Sequence, residues 1–151
     1  MSNADSSPKI PYETTLRVRD HCLCLHAQRA ARAIARRFDE AFRPLDLKSG
    51  QFSLLMSLNR PAPPTLGSVA TLLGMDRTTL TANLKPLERR GLVTVEPDPE
   101  DKRARRLALT EAGRDLLVDA VPLWEWTQAE IEKALGMSEA DRLREDLNAV
   151  L

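Results

Sequence analysis

The feature that most restricts the fold is the punctuation of the middle of the chain. Between Ser49 and Thr110 the apolar period changes twice, and turn-forming residues mark each change. Ser49 precedes Phe52, Leu55, Met56 and Leu58, with Leu55 and Met56 three and four residues after Phe52, and this predicts a helix that Ser49 caps. Pro61, Pro63 and Pro64 then form a stiff break. A short helix follows from Leu66 to Leu73, with Val69, Leu72 and Leu73 as its apolar side. Gly74-Met75-Asp76 reads as a tight turn, and Asp76 is a favourable N-cap because a short carboxylate can accept from the free amides of a first helical turn. The helix it opens runs from Arg77 to about Arg90, with Leu80, Leu84 and Leu87 inward, and Gly91 closes it. Pro86 lies inside it and removes one backbone donor, which should bend or loosen its last turn. Leu92 to Glu96 is β-branched and strand-like. Pro97 to Asp101 is turn chemistry, and Arg105 to Leu109 can pair back as a second strand.

Helical patterns flank this centre. Leu16, Leu23, Ala27, Ala30, Ile34, Phe38 and Ala41 mark one face of a long helix that Pro44 ends. Thr110 caps another, through Leu116, Leu117, Val121, Trp124, Ile131 and Leu135, with a kink expected at Pro122. Gly136 ends it, and Ser138 caps a last helix bearing Leu143, Leu147, Val150 and Leu151. Aromatic residues are only 4% of the 151 residues, so aliphatic side chains must build the core, which favours helices over a sandwich or barrel. The expected class is mainly α with a small β-hairpin. Residues 1–15 are expected as a flexible N-terminal arm. No apolar run is long enough to span a bilayer, and the polar first thirteen residues carry no secretory pattern. Two cysteines, Cys22 and Cys24, are too few for a disulfide framework, so a cytoplasmic protein away from membranes is expected.

Helix, tight turn, helix and hairpin is the order of a winged helix-turn-helix. Its second helix can enter the DNA major groove while the hairpin reaches the neighbouring backbone or minor groove. The exposed front of that helix offers Arg77, Thr78, Thr79, Thr81 and Asn83, with Lys85, Arg89 and Arg90 behind. Arg pairs bidentately with guanine and Asn with adenine, and Thr meets a base or a phosphate. The hairpin carries Lys102, Arg103, Arg105 and Arg106, and a guanidinium near its tip suits a narrow, electronegative minor groove. Either set alone could be an ordinary solvated surface; their succession argues against that. The net charge of zero looks unsuited to a polyanion, but it conceals a division. Residues 1–109 hold eighteen basic and twelve acidic side chains, whereas residues 110–151 hold four and ten. The DNA-facing elements thus lie in the basic part.

Asp101-Lys102-Arg103, five residues, then Leu109-Thr110 and Gly113 resembles the Asp-x-Arg…Leu-Thr-x-x-Gly signature of the MarR (multiple antibiotic resistance regulator) family. Asp76 to Thr81 and Leu87 to Val93 are similar to that family's recognition helix and first wing strand, and the element order agrees over roughly residues 16–150. Asn83 and Pro86 depart from the commoner residues of that helix. The resemblance implies a homodimer whose terminal helices, residues 16–45 and 110–151, interlock. It implies one winged domain per subunit, residues 46–109, on a pseudo-palindromic double-stranded operator. It assigns Arg103 to the minor groove and Asp101 to holding that arginine. It implies a regulator of transcription, usually a repressor, released by a small molecule or an oxidant, and no cofactor.

Every His and Cys of the chain lies in His21-Cys22-Leu23-Cys24-Leu25-His26. The plain reading is structural, since free cysteines are commonly buried and inert. The pattern is also similar to the hydroperoxide-sensing branch of the family, with Cys22 at the sensing position. That branch activates its cysteine with tyrosines; here His26 stands one turn away, and the only tyrosine is Tyr12. A metal reading has Cys22 and His26 at helical spacing but no further Cys/His cluster to complete it. A small-molecule pocket is the family's usual alternative, with His26, Arg29, Phe52, Met56 and Trp124 as candidate lining residues and Arg29 as a carboxylate partner. An enzyme is not expected: there is no Gly-rich phosphate loop and no Ser nucleophile motif. The rival readings are a thiol-based redox enzyme and a winged-helix interaction module that does not bind DNA.

Overall fold

The computed structural model describes residues 9–151. Seven helices, one 3-10 turn and one hairpin follow in the order α1 (Tyr12–His21), α2 (Leu23–Phe42), the turn Arg43–Leu45, α3 (Ser49–Ser57), α4 (Leu66–Leu73), α5 (Arg77–Arg89), β1 (Val93–Pro97), β2 (Arg105–Leu109), α6 (Glu111–Leu135) and α7 (Met137–Asn148). The class is mainly α with a small antiparallel hairpin, as the punctuation of the sequence implies. Two compact units divide the chain, residues 1–34 and residues 35–151.

In the first unit the long helix expected from Leu16 is two helices. It starts at Tyr12, so residues 12–15 of the expected arm are helical, while residues 1–8 of that arm lie outside the described residues. The break falls at Cys22, whose ψ of 107° is extended. Its N–H still donates to Val18 O at 3.0 Å, closing α1, while its Sγ accepts from Leu25 N–H at 3.5 Å, opening α2. His21 and Cys22 are weak helix formers, so little is lost by interrupting the helix there. The apolar series expected along this helix is mostly exposed. Leu23 is 82% exposed, Ala27 and Ala30 are exposed, and among the series only Phe38, in the second unit, is buried.

The second unit holds the core. Phe38, Phe42, Phe52 and Trp124 form a chain of stacked rings, with centroid spacings of 6.0, 4.8 and 6.4 Å. Leu54, Leu55, Leu80, Leu84, Leu87 and Leu107 fill the remainder, each essentially fully buried. Ser49 does not cap α3. It is the first helical residue, and its N–H donates to Asp39 Oδ1 at 2.7 Å while Gln51 Oε1 accepts from Lys48 N–H at 2.9 Å. In α4 Val69 and Ala70 are buried and Leu66 and Leu73, three or four residues from them, pack against the core, whereas Leu72 is 61% exposed. In α6 the buried line is Gly113, Leu117, Ala120, Thr127 and Ile131, which leaves Trp124 and Leu135 partly outside. Pro122 is accommodated within that helix. Gly136, at φ +93°, precedes α7, and Ser138 lies inside the helix and makes no cap.

β1 and β2 pair with Val93 opposite Leu109 and Val95 opposite Leu107, placing those four side chains on the core face. The strand begins one residue later than the sequence suggests, because Leu92 still closes the preceding turn by donating to Leu87 O. A third segment joins the hairpin. Thr65 bridges Arg106, and Leu107 N–H donates to Pro64 O at 2.9 Å. The chain leaves the hairpin through Thr110, whose N–H donates to Leu92 O at 3.1 Å and whose hydroxyl donates to Gly91 O at 2.6 Å while accepting from Gly113 N–H at 3.1 Å. A Cβ on Gly113 would lie 2.2 Å from Leu92 O, so this close crossing requires glycine. The Leu-Thr-x-x-Gly run therefore joins hairpin to helix by a cap and a backbone contact.

Candidate nucleic-acid interface

Helix α5 is set by its ends. Asp76 Oδ1 accepts from Thr79 N–H at 2.7 Å, and Oδ2 accepts from the Thr79 hydroxyl at 2.8 Å. These donors, the backbone N–H first, hold the Asp76 carboxyl below the usual carboxylate range. Gly74, at φ +63°, makes the preceding turn. The three leucines expected inward, Leu80, Leu84 and Leu87, are buried. Arg77, Thr78, Thr79, Thr81, Asn83 and Lys85 are all exposed.

Their side chains are not equally free. The Thr79 hydroxyl serves the cap. The Thr81 hydroxyl donates to Arg77 O at 2.8 Å, keeping its lone pairs for an outside donor. Asn83 Nδ2 donates weakly to Met75 Sδ at 3.7 Å. The Arg77 guanidinium lies along α4, with Nη2 3.1 Å from where a Cβ on Gly67 would stand. Arg90 is a structural residue, donating to Asp46 O at 2.6 Å and Leu45 O at 3.2 Å. Pro86 lies within α5 and its carbonyl accepts from Arg90 N–H at 3.1 Å, so the helix runs past the proline.

The wing carries Lys102, Arg103 and Arg105 exposed at and beside its tip. Asp101 Oδ1 accepts from the backbone N–H of Arg103 at 3.0 Å, so it orders the turn on which the arginine stands. Asp98 and the anchoring role of Arg106 were not legible from residue type alone. Asp98 is only 5% exposed, and its carboxylate accepts from Glu100 N–H, Asp101 N–H and Arg106 Nε. The one hint was its place between Pro97 and Pro99, where an Asx turn is natural.

In the first unit, Cys22 is half-buried and Cys24 exposed. His26 Nδ1–H donates to Cys22 O at 2.8 Å, so that ring nitrogen is engaged by a carbonyl and not by the sulfur. Arg29 is exposed. In the second unit, Phe52 is a buried member of the aromatic stack. Met56 lines an open apolar groove of about 520 Å³ with Asn59, Arg114, Leu117, Val118, Val121 and Pro122. Neither Phe52 nor Trp124 lines it. Among the described residues no three His, Cys, Asp or Glu side chains gather to hold a metal ion, and no helix is long and apolar enough to cross a membrane.

Residues 47–104 match the family model described as the MarR family. The chain is similar to the transcriptional regulator MosR of M. tuberculosis, solved in complex with DNA, at 38% identity over 86% of this chain and 93% of that one, with a TM-score of 0.79. It is similar to CouR of Rhodococcus jostii, a transcriptional repressor solved on a 23-mer DNA duplex, at 29% identity over 88% and 94%, with a TM-score of 0.78. A variant of E. coli MarR complexed with operator DNA matches at 28% identity over 90% and 98%, with a TM-score of 0.80. All three were solved with DNA, and two of them are a transcriptional regulator and a transcriptional repressor.

Proposed function

The chain belongs to the MarR family of DNA-binding transcriptional regulators, and from that premise we propose that it is a homodimeric repressor, acting in the cytoplasm on a pseudo-palindromic operator. The observation that carries this reading is the conjunction of a capped, outward-facing α5 with a wing whose tip turn is ordered around Arg103. In it, Arg77, Thr78, Thr79, Thr81, Asn83 and Lys85 face the major groove and nearby phosphates. Arg103 enters the minor groove, supported by Asp101, while Lys102 and Arg105 meet the backbone. Residues 46–109 form the DNA-binding domain, and residues 16–45 and 110–151 the dimerisation region. The uncovered apolar side chains of Val18 and Leu23, and separately of Leu143, Leu147 and Val150, support a partner subunit there. The test is binding to duplex DNA from upstream of its own coding sequence, with the mass of the complex measured. One dimer per operator is expected; a monomer bound, or no salt-sensitive binding, contradicts it.

Release is proposed through an effector. The groove at Met56, with Arg114 among its lining residues, supports a small molecule carrying an anionic group. A second reading rests on Cys22, which interrupts the helix and caps α2 through its sulfur. An organic hydroperoxide would transfer one oxygen to that sulfur, its O–O bond breaking, to leave the cysteine sulfenic acid and an alcohol. The first turn of α2 would then lose its cap. If Cys22→Ser binds DNA normally and loses peroxide release, the thiol reading stands; equal release from both proteins removes it.

A further inference from the structure

Two charged residues of the wing are arranged against the roles their types suggest. Asp98 is an acid beside a surface proposed to meet a polyanion, yet it is buried. Its carboxylate accepts from Glu100 N–H at 2.8 Å, from Asp101 N–H at 3.4 Å and from Arg106 Nε at 2.6 Å, and its own N–H donates to Ala104 O at 3.0 Å. Arg106 is a wing cation, yet its guanidinium turns inward, with Nη1 donating to Pro63 O at 2.9 Å. Its backbone position bridges Thr65, the residue that caps α4. The loop between Asp98 and Ala104 is thereby fastened at its base to the segment that leads into the helix-turn-helix.

We propose that Asp98 and Arg106 are positioning residues for DNA binding: a carboxylate–guanidinium clamp that fixes the wing relative to the Pro63–Thr65 segment and so sets where Arg103 meets the minor groove. This rests on the proposed wing contact with DNA. The physical case is pre-organisation. A tip bearing Lys102, Arg103 and Arg105 repels itself and is exposed, and the seven-residue stretch from Asp98 to Ala104 would have to be ordered on binding at an entropic cost. The clamp meets that cost during folding. A bidentate-capable guanidinium is needed, because Nε must reach Asp98 while Nη1 reaches the Pro63 carbonyl; an ammonium keeps the charge but not this fork.

Charge logic separates this from a direct contact. Were Arg106 a phosphate contact, Arg106→Lys would retain most binding. Were Asp98 mere negative charge near DNA, Asp98→Asn would bind more tightly. The clamp predicts that both variants weaken operator binding, each by about tenfold, the scale of losing a charge-assisted hydrogen bond. In an Arg103→Ala background each should weaken it by less than about twofold, because both act through that arginine. In the free protein, the Glu100 and Arg103 amides should exchange faster in Arg106→Lys while the Leu80 and Leu84 amides of α5 do not, which keeps the test readable if Asp98→Asn folds poorly. Wild-type affinity in Arg106→Lys, or tighter binding by Asp98→Asn, overturns the clamp. If wild type fails to bind, or Arg103→Ala binds like wild type, the DNA reading itself falls.

Discussion

The middle of the chain and its two ends are built from the same apolar residues and leave them in opposite states. In α5 and the hairpin, Leu80, Leu84, Leu87, Val93, Leu107 and Leu109 are all buried within one chain. In α1 and the start of α2, and again in α7, large apolar side chains stay exposed: Leu23 is 82% exposed and Leu147 48%. The middle also spends its polar residues on itself. Asp76, Thr110, Asp98 and Arg106 each satisfy a backbone group at an element boundary. The difference teaches that the winged part buries its apolar side chains and presents a polar face, whereas the terminal helices leave apolar side chains exposed, the surface proposed above for a partner subunit.

The largest effect expected is on the buried core of the winged part. Leu84→Ala removes a buried side chain packed in the core and should cost about 2–5 kcal/mol in chemical denaturation. If the proposed dimer forms, Leu147→Asp should leave the helical content of each chain in place but raise the dimer dissociation constant about tenfold or more in sedimentation experiments. Similar losses of fold stability from both variants would erase the distinction between the regions. Thr110→Ala removes the cap of α6 and its bond to Gly91 O, and should cost about 1–2 kcal/mol. The smallest effect concerns acid. The Asp98 carboxyl is held below its ordinary value, first by Glu100 N–H and then by Arg106. A carboxyl depressed in the folded state adds stability above its unfolded pKa, and that stability is lost as pH falls through the folded value. Denaturation midpoints should therefore decline below about pH 4, the ordinary carboxylate range, with a shallower decline in Asp98→Asn.

The same contrast explains what the sequence could tell. Elements whose signals are local were readable: the Asp76 cap, the Gly74 and Gly91 turns, the buried leucines of α5 and the pairing of Arg105 to Leu109. Elements decided by distant groups were not. Ser49 looked like a cap, but Asp39, ten residues away, and Gln51 supply the acceptors at α3. Arg90 and Arg106 looked like DNA-facing cations, but carbonyls more than forty residues away hold them. The break at Cys22 was invisible because an apolar period continues through it on both sides. On the candidate interface, the residue types marked the exposed row of α5 and the wing, while the wing's buried anchor required the register of β2 against Pro63 and Thr65.

In the proposed complex, α5 and the wing bind DNA with Arg103 as an essential contact. The most direct test is the salt dependence of operator affinity for wild type and Arg103→Ala. Wild-type affinity should fall steeply and linearly in log–log form as phosphate counterions are released. Arg103→Ala should bind at least about tenfold more weakly at every salt concentration, the scale of one good groove contact. Superimposable lines for the two proteins, or affinity indifferent to salt, would contradict it.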